Sequence, residues 1–290
     1  MAVEADAIAT NRWFLSVPQL TLPSLSILLP AFVLAAIVMS AIIGPFFTPD
    51  PTVNALRDSG LGIGSPGHVL GTDALGRDVL ARVLHGARVS LFVGVVAVAL
   101  CLLIGGALGV VAGFRGGWLD TGIMRLMDMI LAFPGLVLAL TIAAYLGPSL
   151  RNVIIAVTAF RIPAYARLAR AVTLSLRERE FVWGSKLMGA GDLQIMVRHI
   201  LPNLVSPLLA YGLLSVGIAI IVEASLSFLG LGVRPPQPTW GIMIAEGRGD
   251  LEQSPHAVLV PGGFLFATIL SLNMLADAVR ARIGQQAGNL

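Results

Sequence analysis

Long stretches of this chain carry no charge. Trp13 to Pro49, Val89 to Phe114 and Gln253 to Ala276 each run without an acid, an arginine or a lysine. About 20 predominantly apolar residues suffice for a helix to cross a bilayer. The pattern therefore predicts spans near residues 25–47, 89–114 and 253–276. Three further spans follow from runs broken by few charges: 124–146 with Pro134 at its middle, 151–172 with Arg161 and Pro163 inside it, and a segment from Pro202 to about residue 222. Gly44-Pro45, Gly116-Gly117 and Gly147-Pro148 mark turns between them. The expected fold class is an all-α membrane protein with six transmembrane helices.

The polar segments supply the remaining organisation. Tails are expected at 1–24 and 283–290, loops at 48–88 and 233–254, and a polar connection at 173–202 between the fourth and fifth spans. No cleaved leader is expected, because the first apolar run is too long and lacks a small-residue processing site. Pro235, Pro236 and Pro238 stiffen the 233–254 loop. Composition agrees with this layout. The chain is 56% hydrophobic and 12% charged, with a mean hydropathy of +0.87, and soluble domains carry about twice that charge. No soluble domain fits between the spans. The net charge of +3 comes from arginine and a single lysine. On a membrane protein such a balance sets orientation rather than binding nucleic acid. Basic residues concentrate in the tails, around 115–125 and at 167–198, which puts both termini and the 173–202 loop on the cytoplasmic side of the cell membrane. Cys101 stands alone in an apolar run, and the four histidines are scattered, so neither a disulfide framework nor a metal cluster is expected.

The centre of the chain is the polar island from Arg177 to Asn203, R-E-R-E-F-V-W-G-S-K-L-M-G-A-G-D-L-Q-I-M-V-R-H-I-L-P-N. Most of its charges are basic. It reads as two short helices on the membrane surface. The first runs over about 177–188 and stops at Gly189, a residue suited to the left-handed conformation that ends helices. Asp192 is expected to cap the second, which reaches Leu201 before Pro202. In that second helix Leu193, Met196, Val197, Ile200 and Leu201 form an apolar stripe opposite Gln194 and Arg198. Such a hairpin, greasy on one side and exposed on the other, suits docking to a soluble partner.

Three charged residues near or within the spans are candidates for a pathway or gate: Asp128, Arg161 and Glu223. Each has a structural alternative. Asp128, near the inner end of the third span, would pair Arg125 or an arginine of a neighbouring loop. Arg161 would partner an acid on another span. Glu223, placed just beyond the fifth span, would steady a loop or meet a peptide amino terminus. In the 48–88 loop, Asp73, Arg77 and Asp78 read as an interfacial salt-bridge network rather than a catalytic cluster. Asp78, Arg82 and His85 fall at helical spacing and predict an amphipathic helix leading into the second span.

The chain has no G-x-x-x-x-G-K-[ST] loop, no His-Glu-x-x-His and no G-x-S-x-G elbow. A transporter without its own power source borrows one. Here a resemblance enters. The spacing from residue 183 through Gly189 to Leu201-Pro202 is similar to the signature loop of permease subunits of bacterial ABC importers, although Trp183-Gly184-Ser185 stands where the family has Glu-Ala-Ala. The segments G-T-D-A-L-G-R-D at 71–78, M-R-L-M-D-M-I-L-A-F-P at 124–134 and E-A-S-L-S-F-L-G-L-G at 223–232 resemble the branch serving dipeptide, oligopeptide and nickel importers. The resemblance implies a type I ABC importer fold in the cell inner membrane. It implies a paralogous permease in a pseudo-twofold heterodimer, two cytoplasmic ATPases and an outer substrate-binding protein. ATP and Mg would sit on the ATPases and none on this chain. The docking residues it implies are Glu180, Trp183, Gly184, Ser185, Lys186, Leu187, Met188, Gly189 and Pro202. Glu180 would do part of the work of the missing family glutamate. The cargo it implies is a di- or oligopeptide, with nickel or another small solute as the alternative. A proton- or ion-coupled carrier working alone is the reading from another class, and it leaves the island without a purpose.

Overall fold

The computed structural model describes residues 25–288 and is built from helices. The expected tail at 1–24 lies outside the described residues. Helix α1 spans Leu25–Ile43, α2 Val79–Arg115, α3 Gly117–Leu131, α4 Gly135–Leu146 and α5 Leu150–Arg177. A surface hairpin follows, made of α6 (Glu180–Leu187) and α7 (Asp192–Ile195). Then come α8 (Leu201–Phe228), α9 (Trp240–Gly247) and α10 (His256–Gly288). By length and apolar composition α1, α2, α8 and α10 qualify as membrane spans, and the bent pair α3/α4 counts as a fifth. Arg151, Arg161, Arg167, Arg170 and Arg177 make α5 less apolar than these spans, yet its 28 residues reach about 42 Å and pack within the bundle.

Several boundaries depart from expectation, each for a physical reason. The amphipathic helix and the second span are one 37-residue helix, α2, whose start is capped by Asp78 accepting from Ala81 N at 2.7 Å. The third span is not one helix. α3 and α4 meet at 86°, because Pro134 has no N–H to continue the ladder and disfavours helical geometry at Phe133. Pro163 and Pro207, by contrast, lie inside unbroken α5 and α8. The 233–254 loop contains a helix, α9, capped by Thr239 accepting from Ile242 N at 3.2 Å.

The bundle is closest where α2 crosses α5. Gly105, Gly109 and Gly113 form one small-residue stripe on α2, four apart. A Cβ at Gly105 would meet Tyr165 Cβ at 2.7 Å, one at Gly109 would meet Ala169 Cβ at 2.6 Å, and one at Gly113 would meet the Arg170 carbonyl oxygen at 2.9 Å. Without side chains there, the two backbones touch. A second core joins α1, α2, α9 and α10 around Trp240, which is fully buried and donates its indole N–H to the Val83 carbonyl at 3.2 Å. Leu28, Phe32 and Phe266 on α1 and α10 face outward, as lipid-covered side chains do.

Candidate functional site

The hairpin is tied down on one side and open on the other. α6 ends in a Schellman motif. Gly189, at φ +83°, donates to the Lys186 carbonyl at 3.0 Å, and Ala190 donates to the Ser185 carbonyl at 3.0 Å. Val182, Ile195 and Ile200 are fully buried in the same core cluster as Phe114 at the end of α2. Arg177 donates to the Gly113 carbonyl at 3.0 Å, Lys186 stands over the Phe114 ring, and Arg115 approaches Asp192 at 3.5 Å. Ser185 is buried, donates to the Phe181 carbonyl at 2.8 Å and lies 3.2 Å from His199 Nε2, so it stitches the two arms together.

Four expectations about the hairpin are corrected. α6 begins at Glu180, because α5 runs on to Arg177 and Glu178-Arg179 form the break. Gly191, not Asp192, holds the N-cap position of α7, and no side chain caps it. The second arm does not stop at Pro202. A π turn over Met196–Ile200 carries it straight into α8, where Pro202 occupies the first turn and needs no N–H partner. The wide turn also shifts the helical phase. Ile195, Met196 and Ile200 point inward, while Leu193 and Val197 are exposed. The outer face thus presents Phe181, Trp183, Leu187, Met188, Leu193 and Val197, with Leu187 87% and Met188 83% exposed. Glu180, Lys186, Gly189 and Pro202 are exposed beside them, and Gly184 has open space at its Cβ position. Of the residues expected to make close outer contact, Ser185 alone faces inward.

The candidate pathway residues do not converge. Asp128 on α3 accepts from Arg167 on α5 at 2.6 Å, both half exposed. A turn away Arg170 grips Asp120 with a two-pronged contact at 2.5 and 2.6 Å. Among the described residues Arg161 pairs with no acid and instead donates to Ser215 Oγ at 2.6 Å on α8. Glu223 lies inside α8, since that helix continues to Phe228. Its carboxylate is wholly buried and accepts from Ser90 at 2.8 Å and Ser227 at 2.7 Å, pinning α2 to α8. It is closed to a peptide amino terminus.

The polar cluster of the 48–88 loop is an ion network. Arg77 donates to Asp73 at 2.7 Å, and both Arg77 and Arg82 donate to Glu246 on α9 at 2.7 Å. His68 approaches Asp78 at 2.8 Å. Glu246 was not visible as a partner in the sequence, since it stands 164 residues from Arg82. Arg82 is 1% exposed. Glu246→Ala would leave it short of an acceptor, at an expected cost of about 2–3 kcal/mol, below a fully buried pair because the acid is a third exposed. A lowered thermal midpoint of the purified protein, with Glu246→Asp intermediate, is the expected measurement.

The chain resembles known proteins along most of this architecture. The family described as "Binding-protein-dependent transport system inner membrane component" matches residues 105–285. The glutathione transport system permease protein GsiD of Pectobacterium atrosepticum is 44% identical over 216 residues, 74% of this chain and 72% of that protein. The dipeptide transport system permease protein DppC of Alkalihalophilus pseudofirmus is 40% identical over 240 residues, 83% of this chain and 79% of that protein. Among solved structures, a chain of the MetNI methionine ABC transporter in an inward-facing conformation aligns with a TM-score of 0.57 and 17% identity, covering 69% of this chain and 95% of that one. At that identity the likeness concerns the fold alone, a type I ABC importer transmembrane fold.

Proposed function

We propose a function from one premise: the chain belongs to the family of binding-protein-dependent transport system inner membrane components, the membrane subunits of ABC importers. Its cargo is short peptides. Relatives named for dipeptide and for glutathione, itself a tripeptide, support that cargo over nickel. The chain hydrolyses nothing. ATP and Mg are held by two cytoplasmic ATPases, a binding protein delivers the peptide from outside, and a paralogous permease completes the pore. Both termini and the hairpin lie in the cytoplasm, and the 48–88 loop and α9 lie outside.

The observation that carries this reading is the exposed apolar face of the hairpin, from Phe181 to Val197, on a base that is packed and ion-paired to α2. Monomeric soluble surfaces rarely leave such side chains in water unless a partner covers them. The hairpin joins α5 and α8 directly, so a shift imposed on it passes to both spans as a rigid-body movement. Burying Leu187 and Met188 in an ATPase groove is worth about 1.5–3 kcal/mol each. Leu187→Ser combined with Met188→Ser is therefore expected to weaken ATPase binding by at least about a hundredfold, measured by co-purification and titration of the ATPase onto the permease pair. The whole reading is tested by ATP hydrolysis of the reconstituted complex in liposomes. Peptide with binding protein is expected to stimulate it, and stimulation by nickel instead of peptide would overturn the cargo.

A further inference from the structure

The bundle contains a cation that no acid among the described residues balances. Arg161 lies about three turns into α5, roughly 16 Å from its start. Among the described residues its hydrogen-bond partners are Ser215 Oγ at 2.6 Å and Tyr211 Oη at 3.4 Å, both on α8. Its guanidinium also stands 5.6 Å from the Tyr211 ring and 6.0 Å from that of Phe160. Its Nε is buried without a partner. The hydroxyl of Thr158 is in the same state, and that of Tyr165 makes no hydrogen bond of good geometry although Ser215 lies beside it. Thr158, Arg161 and Tyr165 share one helical face. Cys101, whose thiol reaches the Thr158 carbonyl at 3.6 Å, is the remaining titratable neighbour. The cluster is therefore rich in donors and, among the described residues, lacks a carboxylate. An unpaired cation at this depth is expensive, and each unmet buried donor adds to the cost. An anion supplied from outside these residues would offset that cost.

We infer that this face of α5 recognises the carboxylate of a peptide in transit, with Arg161 supplying the charge and Tyr211 and Ser215 flanking hydroxyls. The inference rests on the peptide-import reading above. A guanidinium fork matches a carboxylate in shape as well as charge. The donors come from α5 and α8, the two spans that the hairpin joins, so the site is split or assembled as those helices move. The binding protein selects cargo outside; Arg161 would impose a second requirement, a free carboxylate, inside the membrane.

The test uses the full complex in liposomes with saturating binding protein, and measures uptake of trialanine and of trialanine amide. Arg161→Gln is expected to slow trialanine uptake about tenfold or more, to change uptake of the amide less than twofold, and Arg161→Lys to restore part of the loss. Ser215→Asp, which fixes a carboxylate against the guanidinium, is expected to block trialanine uptake, whereas the uncharged, equally sized Ser215→Asn is expected to lower it only in part. Co-purification of the subunits verifies assembly of each variant. Equal loss for acid and amide in an assembled complex, together with tolerance of Ser215→Asp, would assign Arg161 to an acid of the neighbouring permease and overturn the proposal. Unchanged uptake in Arg161→Gln would overturn it as well. If the wild-type complex imports neither peptide nor glutathione, the peptide reading itself fails and this inference with it.

Discussion

Gly189→Asp is expected to cut uptake at least about tenfold while the complex still assembles. The residue sits at φ +83°, where any residue with a Cβ pays about 1–2 kcal/mol, roughly a factor of ten. That conformation permits both closing bonds of the Schellman motif, to Lys186 and to Ser185. Space is not the problem, since no atom lies within 4 Å of a Cβ built there. The fold should therefore survive, and the damage should fall on the hairpin tip, where a new acid is also set near Asp192. Gly189→Asn, which tolerates the left-handed region better, is expected to retain much of the activity. Parallel measurement of ATP hydrolysis and uptake in liposomes decides the matter. Hydrolysis that persists without uptake is the expected signature, and full coupling in the aspartate variant would remove the hairpin from the mechanism.

Gly109→Leu is expected to have the larger effect on the protein itself. A Cβ at that position overlaps the α5 backbone and Ala169 Cβ. Overpacking within a core usually costs about 1–3 kcal/mol when side chains can rotate away. Here the obstacle is backbone, and Gly105 and Gly113 one turn to either side hold the helices at the same distance. α2 and α5 must part along their length, which also disturbs the Arg177–Gly113 bond under the hairpin. The expected result is loss of monodisperse protein after detergent extraction. Gly122→Leu is the control: it lies on α3 with open space at the Cβ position, and its yield should match the unaltered chain.

What the sequence disclosed follows the range of the forces involved. Runs such as Val89 to Phe114 name their own environment, because the hydrophobic cost of each residue is local. The hairpin was readable for the same reason: its charges exclude it from the bilayer, and Gly189 announces the end of α6. Prolines were less informative. Pro134 breaks a helix and Pro163 does not. Gly135 follows the first, and a Cβ there would strike Phe160 at 2.9 Å, so close packing on α5 fixes the bend. Partners distant in the chain were out of reach. Nothing near Arg82 points to Glu246, and nothing near Arg161 says that its neighbours on α8 are hydroxyls instead of an acid. The phase of the second hairpin arm was misjudged because a π turn adds a residue to one revolution, which no periodicity of 3.6 anticipates.

The unbroken passage from α7 through the π turn into α8 has a mechanical consequence. Asp192 to Phe228 is 37 residues, a rod of about 55 Å at 1.5 Å per residue. A tilt of about 10° pivoting at its hairpin foot would swing the opposite tip through roughly 10 Å while the foot itself stays nearly in place. The chain is geared: a small stroke applied to a few side chains at one surface arrives amplified at the other. The wide turn at Met196–Ile200 lies at the foot of this rod, so stiffening or loosening it is expected to alter how much of the stroke arrives.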